Sequence, residues 1–114
     1  MESKFALHPF ISRWAVKDVK YLNLFDIYSP VLTEKQKEIF EAYYSFDLSL
    51  SEIAEEKGVT RQSVADSLKK TRRELDGLEE KLKFAKLKKS LVEFSEGLEN
   101  DQREELIKIL SSEI

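Results

Sequence analysis

Residues 51–73 read SEIAEEKGVTRQSVADSLKKTRR, and the order of small, turning and branched residues in this stretch decides the fold. A short helix carrying Ile53-Ala54, a Gly58-Val59 turn and a second helix carrying Val64 form the pattern of a helix-turn-helix. Ala54 is small enough to let two helices approach. Gly58 suits the left-handed position just past a helix end, where a side chain would clash. The valines seal the crossing. Upstream, Ser49-Leu-Ser-Glu52 is a capping box that opens the first helix, leaving only Leu50, Ile53 and Ala54 to face inward before Gly58. Thr60 caps the second. This packing holds whether or not the second helix touches DNA, so the pattern speaks for fold before function.

Working outward towards the N-terminus, Thr33-Glu-Lys-Gln36 is another capping box, followed by a helix whose inner face is Ile39, Phe40, Tyr43 and Tyr44, closing near Phe46-Asp47. Before it, Val16, Val19, Leu22, Phe25 and Tyr28 recur three apart between Trp14 and Tyr28, which reads as an amphipathic helix stopped by Pro30. Towards the C-terminus, Val64, Leu68, Thr71, Leu75, Leu78, Leu82 and Ala85 alternate spacings of four and three, a heptad seam. Unbroken from Arg61 to Phe94, that helix would be about 50 Å long at 1.5 Å per residue. The expectation is a bend or break at Gly77 together with self-association, with Leu82, Phe84, Leu87, Leu91 and Phe94 as the oligomer contact and Leu98 continuing the stripe. Gly97 ends this segment, and Asn100 or Asp101 caps a last helix with Leu106, Ile107 and Leu110 inside.

Composition agrees with helices. The chain has 114 residues, 36% of them charged, with 3 glycines and no cysteine. Helices tolerate dense charge, strand-and-turn folds consume glycine, and this length holds one core. The reading is all-α: one domain over 1–114, with the helix-turn-helix at about 50–75 and a helical extension over about 76–114. No disulfide framework or zinc-thiolate site can be built. No apolar run approaches the about 20 residues of a membrane span, and Phe5-Ala-Leu7 is cut off by His8-Pro9 and Arg13, unlike a signal peptide. The expected location is the cytoplasm, without membrane insertion.

Catalysis has little to work with. His8 is the only histidine, no serine sits in a glycine-bounded nucleophile turn, and three scattered glycines cannot cradle a phosphate. The chain reads as a non-enzyme with no catalytic residue, metal or cofactor. Glu52, Glu55 and Glu56 belong to the solvated face of a short capped helix, and His8 to packing or a turn. Ten of the twelve aromatics lie between Phe5 and Phe46, as in a base-stacking platform. Tyr21, Phe25, Tyr28, Phe40 and Tyr43 instead fit the inward faces of two helices, which favours a core.

Charge is segregated. The net −3 resolves into +1 for residues 1–33, −5 for 34–56, +5 for 57–73 and −4 for 74–114. In the third segment Lys57, Arg61, Lys69, Lys70, Arg72 and Arg73 face Asp66 as the one acid. The candidate nucleic-acid contacts are therefore Thr60, Arg61, Gln62, Asp66, Lys69, Lys70 and Arg73. Arg61 and Gln62 suit guanine or adenine edges, Asp66 accepts only, and the remaining cations suit phosphates.

Leu32-Thr-Glu-Lys-Gln36, Leu50-Ser-Glu-Ile-Ala-Glu-Glu56 and Gly58-Val-Thr-Arg-Gln62 resemble the promoter-reading fourth region of bacterial sigma factors. More closely, Tyr21-Leu-Asn-Leu-Phe-Asp-Ile-Tyr28, the Thr33 box and the segment through Lys70 are similar to the YlxM-like family of helix-turn-helix proteins, over about residues 17–84. Two positions depart from the patterns: Ser67 replaces an apolar residue, with Leu68 taking over, and Ala65 stands where the YlxM-like pattern has tyrosine. The resemblance implies an all-helical cytoplasmic protein connected with the signal recognition particle. Two functions follow as expectations. One is a dimeric regulatory protein that binds DNA; the other is an adaptor contacting the particle's structured RNA or its GTPase.

Overall fold

In the computed structural model, which describes residues 19–113, every element is helical: α1 (Val19–Tyr28), a 3-10 turn (Ser29–Val31), α2 (Glu34–Tyr44), α3 (Leu50–Lys57), α4 (Arg61–Leu82), α5 (Phe84–Ser95) and α6 (Asn100–Glu113). The readings placed on Phe5, His8, Phe10, Arg13, Trp14 and Val16 lie outside the described residues.

Helix ends follow local chemistry. The Thr33 hydroxyl accepts from Gln36 N at 3.1 Å and Gln36 Oε1 accepts from Thr33 N at 3.0 Å, closing the expected capping box. Ser49 and Glu52 do the same at 3.1 and 2.7 Å. Each such cap contributes about 1 kcal/mol by satisfying donors that the helix leaves orphaned. Pro30 sits in the 3-10 turn that ends α1.

α4 is the axis of the body and packs against α1, α2 and α3. Its line Val64, Leu68, Thr71 and Leu75 is almost wholly buried, meeting Leu24, Tyr28, Leu32, Ile39, Phe40, Tyr44, Ile53 and Ala54. The Phe40 ring stacks on both Phe25 and Tyr44. Part of the heptad pattern is thus satisfied inside one chain. In α1 the buried positions are Leu24 and Tyr28, while Val19 stays exposed. A strict spacing of three turns the stripe back by about 60° at each step, so five such residues cannot share one face.

The long helix is broken, but not at Gly77. Gly77 lies inside α4, and the break falls at Lys83, whose φ of 58° is left-handed. Tertiary partners hold this corner. Tyr28 Oη donates to Glu79 Oε1 at 2.7 Å and accepts from Phe84 N at 3.1 Å. Glu79 also accepts from Ala85 N at 3.0 Å and Lys86 N at 3.1 Å, so one carboxylate from the end of α4 caps α5. Beyond it, α5 lies against α1 and α6 folds back on α5. α6 already includes Asn100, so it starts before either expected cap, Asn100 or Asp101, would allow; of its expected inner residues only Leu110 is fully buried. Among the described residues, no helix is long and apolar enough to cross a membrane.

Candidate nucleic-acid interface

The turn between α3 and α4 is fixed by backbone geometry. Gly58 takes φ 70°, its N–H bonds Glu55 O at 3.3 Å, and Val59 N bonds Ala54 O at 3.0 Å. This paired arrangement closes a helix on a left-handed residue. Thr60 then accepts from Ser63 N at 3.0 Å and opens α4. Its hydroxyl lone pair is engaged in that cap, so Thr60 sets the start of the helix.

With one side of α4 sealed in the core, the other is fixed by helical geometry. Gln62, Asp66, Lys69, Lys70 and Arg73 are all exposed, within an arc of about 100° opposite the buried line. Arg61 is exposed in the first turn, outside that arc and nearer the line of Val64 and Leu68. The structure therefore brings five of the seven sequence-selected residues onto one free side of one helix, with Thr60 and Arg61 at its head. Arg61, Lys69, Lys70 and Arg73 have no carboxylate partner among the described residues.

Two cations counted from the sequence are withdrawn. Lys57 Nζ pairs with Glu38 at 2.8 Å; that hydrogen bond holds the ammonium above its ordinary range and the Glu38 carboxyl below its own. Arg72 is half-buried and donates to Tyr44 Oη at 3.3 Å. Both lie on faces of the body that sequence position alone does not reveal. One base-reading candidate is also constrained: Gln62 Nε2 donates to Asp66 Oδ1 at 2.9 Å, leaving its carbonyl oxygen and one N–H accessible.

A cation that the sequence reading missed joins them. Exposed Lys35, in the first turn of α2, lines a groove with Ser63, Asp66, Ser67 and Lys70. Its helix is aligned to α4 by Gln36, whose Nε2 donates to both oxygens of Glu74 at 3.2 and 3.3 Å. The capping box places Lys35 at a helix start, but only the packing of α2 on α4 places it beside Lys70.

Residues 15–112 match a protein family described as "Putative helix-turn-helix protein, YlxM / p13 like". The chain is 42% identical to a UPF0122 protein of Fusobacterium nucleatum over 96 residues, covering 81% of this chain and 93% of the relative. It is 42% identical to a UPF0122 protein of Halalkalibacterium halodurans over 101 residues, covering 84% and 93%. A UPF0122 protein of Desulforamulus reducens is 48% identical over 83 residues, covering 68% and 71%.

Proposed function

We propose that this chain, which belongs to the UPF0122 family of YlxM/p13-like helix-turn-helix proteins, is a cytoplasmic regulatory protein that binds duplex DNA through the exposed side of α4. The observation that carries this reading is the set of exposed cations on α4, with Lys69, Lys70 and Arg73 opposite the buried side and Arg61 in the first turn. Lys69, Lys70 and Arg73 grip phosphates, with Lys35 extending the contact. Such contacts position a protein without specifying sequence. Arg61 reads guanine through its paired donors, while Asp66 and the Gln62 carbonyl accept from an exposed amino group of cytosine or adenine. The acidic segments on either side limit how much backbone the site holds, and with it the steepness of the salt dependence.

Retention on genomic DNA fragments across a salt series tests this. Lys69→Ala, Lys70→Ala and Arg73→Ala weaken binding to all sequences and flatten the log-log salt slope by about 0.9 per lost phosphate contact. Arg61→Ala and Gln62→Ala change sequence preference instead. Unaltered retention in both sets overturns the proposal.

A second reading is favoured by the Gln62–Asp66 bond and by Ala65, which together leave few donors for base edges. On it, the same cations hold structured RNA of the signal recognition particle, and the chain acts as an adaptor on that particle or its GTPase. A-form helices are recognised by shape, phosphates and 2′-hydroxyls. Tighter, salt-sensitive binding to the particle's RNA than to DNA of equal length selects this reading; equal binding to both rejects it.

A further inference from the structure

The body of the molecule buries its apolar residues, but α5 does not. Phe84 is 43% exposed, Leu87 54% and Phe94 68%, with Leu82 at 47% just before the corner and Leu91 half-buried between them. Residues 84, 87, 91 and 94 follow spacings of three and four, so they form one stripe along the helix. Ala85, Lys88 and Val92, about a third of a turn round the helix, face α1. Other exposed apolar residues, such as Val31 and Phe46, stand singly and need no partner.

Charge says what covers the stripe. Residues 81–89 contain Lys81, Lys83, Lys86, Lys88 and Lys89 and no acid. Residues 93–105 contain Glu93, Glu96, Glu99, Asp101, Glu104 and Glu105 against Arg103 alone. Lys88 reaches Asp26 at 3.9 Å and Lys83 acts electrostatically on Glu79, whereas Lys81, Lys86 and Lys89 form no salt bridge among the described residues. One end of the stripe is thus basic and the other acidic. A surface with this polarity complements itself when turned end over end, which is the requirement of a two-fold interface.

We infer that α5 pairs antiparallel with α5 of a second copy of this chain, about an axis beside Ser90 and Leu91. Leu87 of each copy then packs near Phe94 of the other, and the lysine-rich start of each helix lies along the glutamate-rich end of its partner. A parallel pairing would set lysine against lysine and forfeit the complementarity. The dimer is independent of whether α4 meets DNA or RNA.

The absence of cysteine from the chain makes the test clean. In the antiparallel pair the two copies of Leu91 lie within about 2 Å of each other along the axis, and the two copies of Phe94 about 10 Å apart. A disulfide spans Cα separations of up to about 7 Å. Leu91→Cys is therefore expected to oxidise to a covalent dimer and Phe94→Cys alone to remain single, whereas Leu87→Cys mixed with Phe94→Cys joins across the pair. Sedimentation equilibrium on the unmodified full chain should give twice the chain mass. Leu87→Asp should raise the dimer Kd by at least about tenfold, the change a lost apolar contact carries, with an unaltered circular dichroism spectrum. A monomer at every concentration overturns the inference, as does cross-linking of Phe94→Cys to itself as fast as Leu91→Cys.

Discussion

The body over residues 19–82 and the hairpin over residues 84–113 are both amphipathic helices, yet they dispose of their apolar faces differently. In the body, Phe40, Ile53, Val64 and Leu75 reach zero exposure, and α4 is enclosed on one side by three other helices. In the hairpin, among the described residues, only Ser95 and Leu110 are buried, and Phe84, Leu87, Phe94 and Ile109 remain open. A radius of gyration of 17.1 Å, against about 13 Å for a compact chain of this length, reflects the projection of that hairpin. The lesson is that amphipathic periodicity states only that a face will be covered. It does not state by what. In α4 the cover is the chain's own body, which leaves the far side of the helix exposed.

The comparison breaks most sharply under truncation of one aromatic in each region. Phe40→Ala removes a fully buried ring stacked between Phe25 and Tyr44, and an expected loss of about 3–5 kcal/mol follows from lost transfer energy plus the cavity. Phe94→Ala takes away an exposed ring and should alter intrinsic chain stability by no more than about 0.5 kcal/mol. Urea unfolding at high dilution measures both. Comparable losses would mean that the hairpin is as much a part of the core as α2.

Next in size is the corner that joins the regions. Replacing Glu79 with alanine leaves the buried Tyr28 hydroxyl without its acceptor and uncaps α5, at a cost of about 1–3 kcal/mol. Hydrogen exchange should accelerate at Phe84, Ala85 and Lys86 while α2 and α3 keep their protection. The carboxyl also imposes a pH dependence. Burial pushes its pKa up, but hydrogen bonds from Tyr28, Ala85 N and Lys86 N outweigh burial and hold it below the ordinary 4.5. A depressed folded pKa gives stability that is present above 4.5 and is lost as pH falls through the folded value. Glu79→Gln should therefore flatten part of the acid limb of a stability-pH curve; an unchanged limb would remove Glu79 from the corner.

What the sequence discloses divides along the same line. Capping boxes at Thr33 and Ser49, the left-handed Gly58 and the Thr60 cap are legible because each is set by residues within four positions of one another. The corner is not, because a lysine carries no signal for the left-handed region, and Tyr28 and Glu79 hold it from 51 residues apart. The site is legible to the extent that it lies on α4. Its exposed face follows from the buried line, but the withdrawal of Lys57 to Glu38 and of Arg72 to Tyr44, and the arrival of Lys35 from α2, depend on helix packing.

The smallest effects locate the boundary between the two regions. Gly58→Ala forces a side chain into φ 70°; no atom lies within 4 Å of the added carbon, so the cost is the left-handed conformation alone, about 1–2 kcal/mol. Gly77→Ala should act in the opposite direction. Gly77 is inside α4 with nothing within 4 Å of an added carbon and no left-handed φ. Alanine there removes the conformational freedom of glycine in the unfolded chain, a gain of about 1 kcal/mol. Thermal unfolding would register a higher Tm, with hydrogen exchange in α5 unaltered because the joint is at Lys83. A lower Tm, or loosened α5 amides, would mean that the helix needs glycine at position 77 to bend, and the boundary between body and hairpin would move six residues towards the N-terminus.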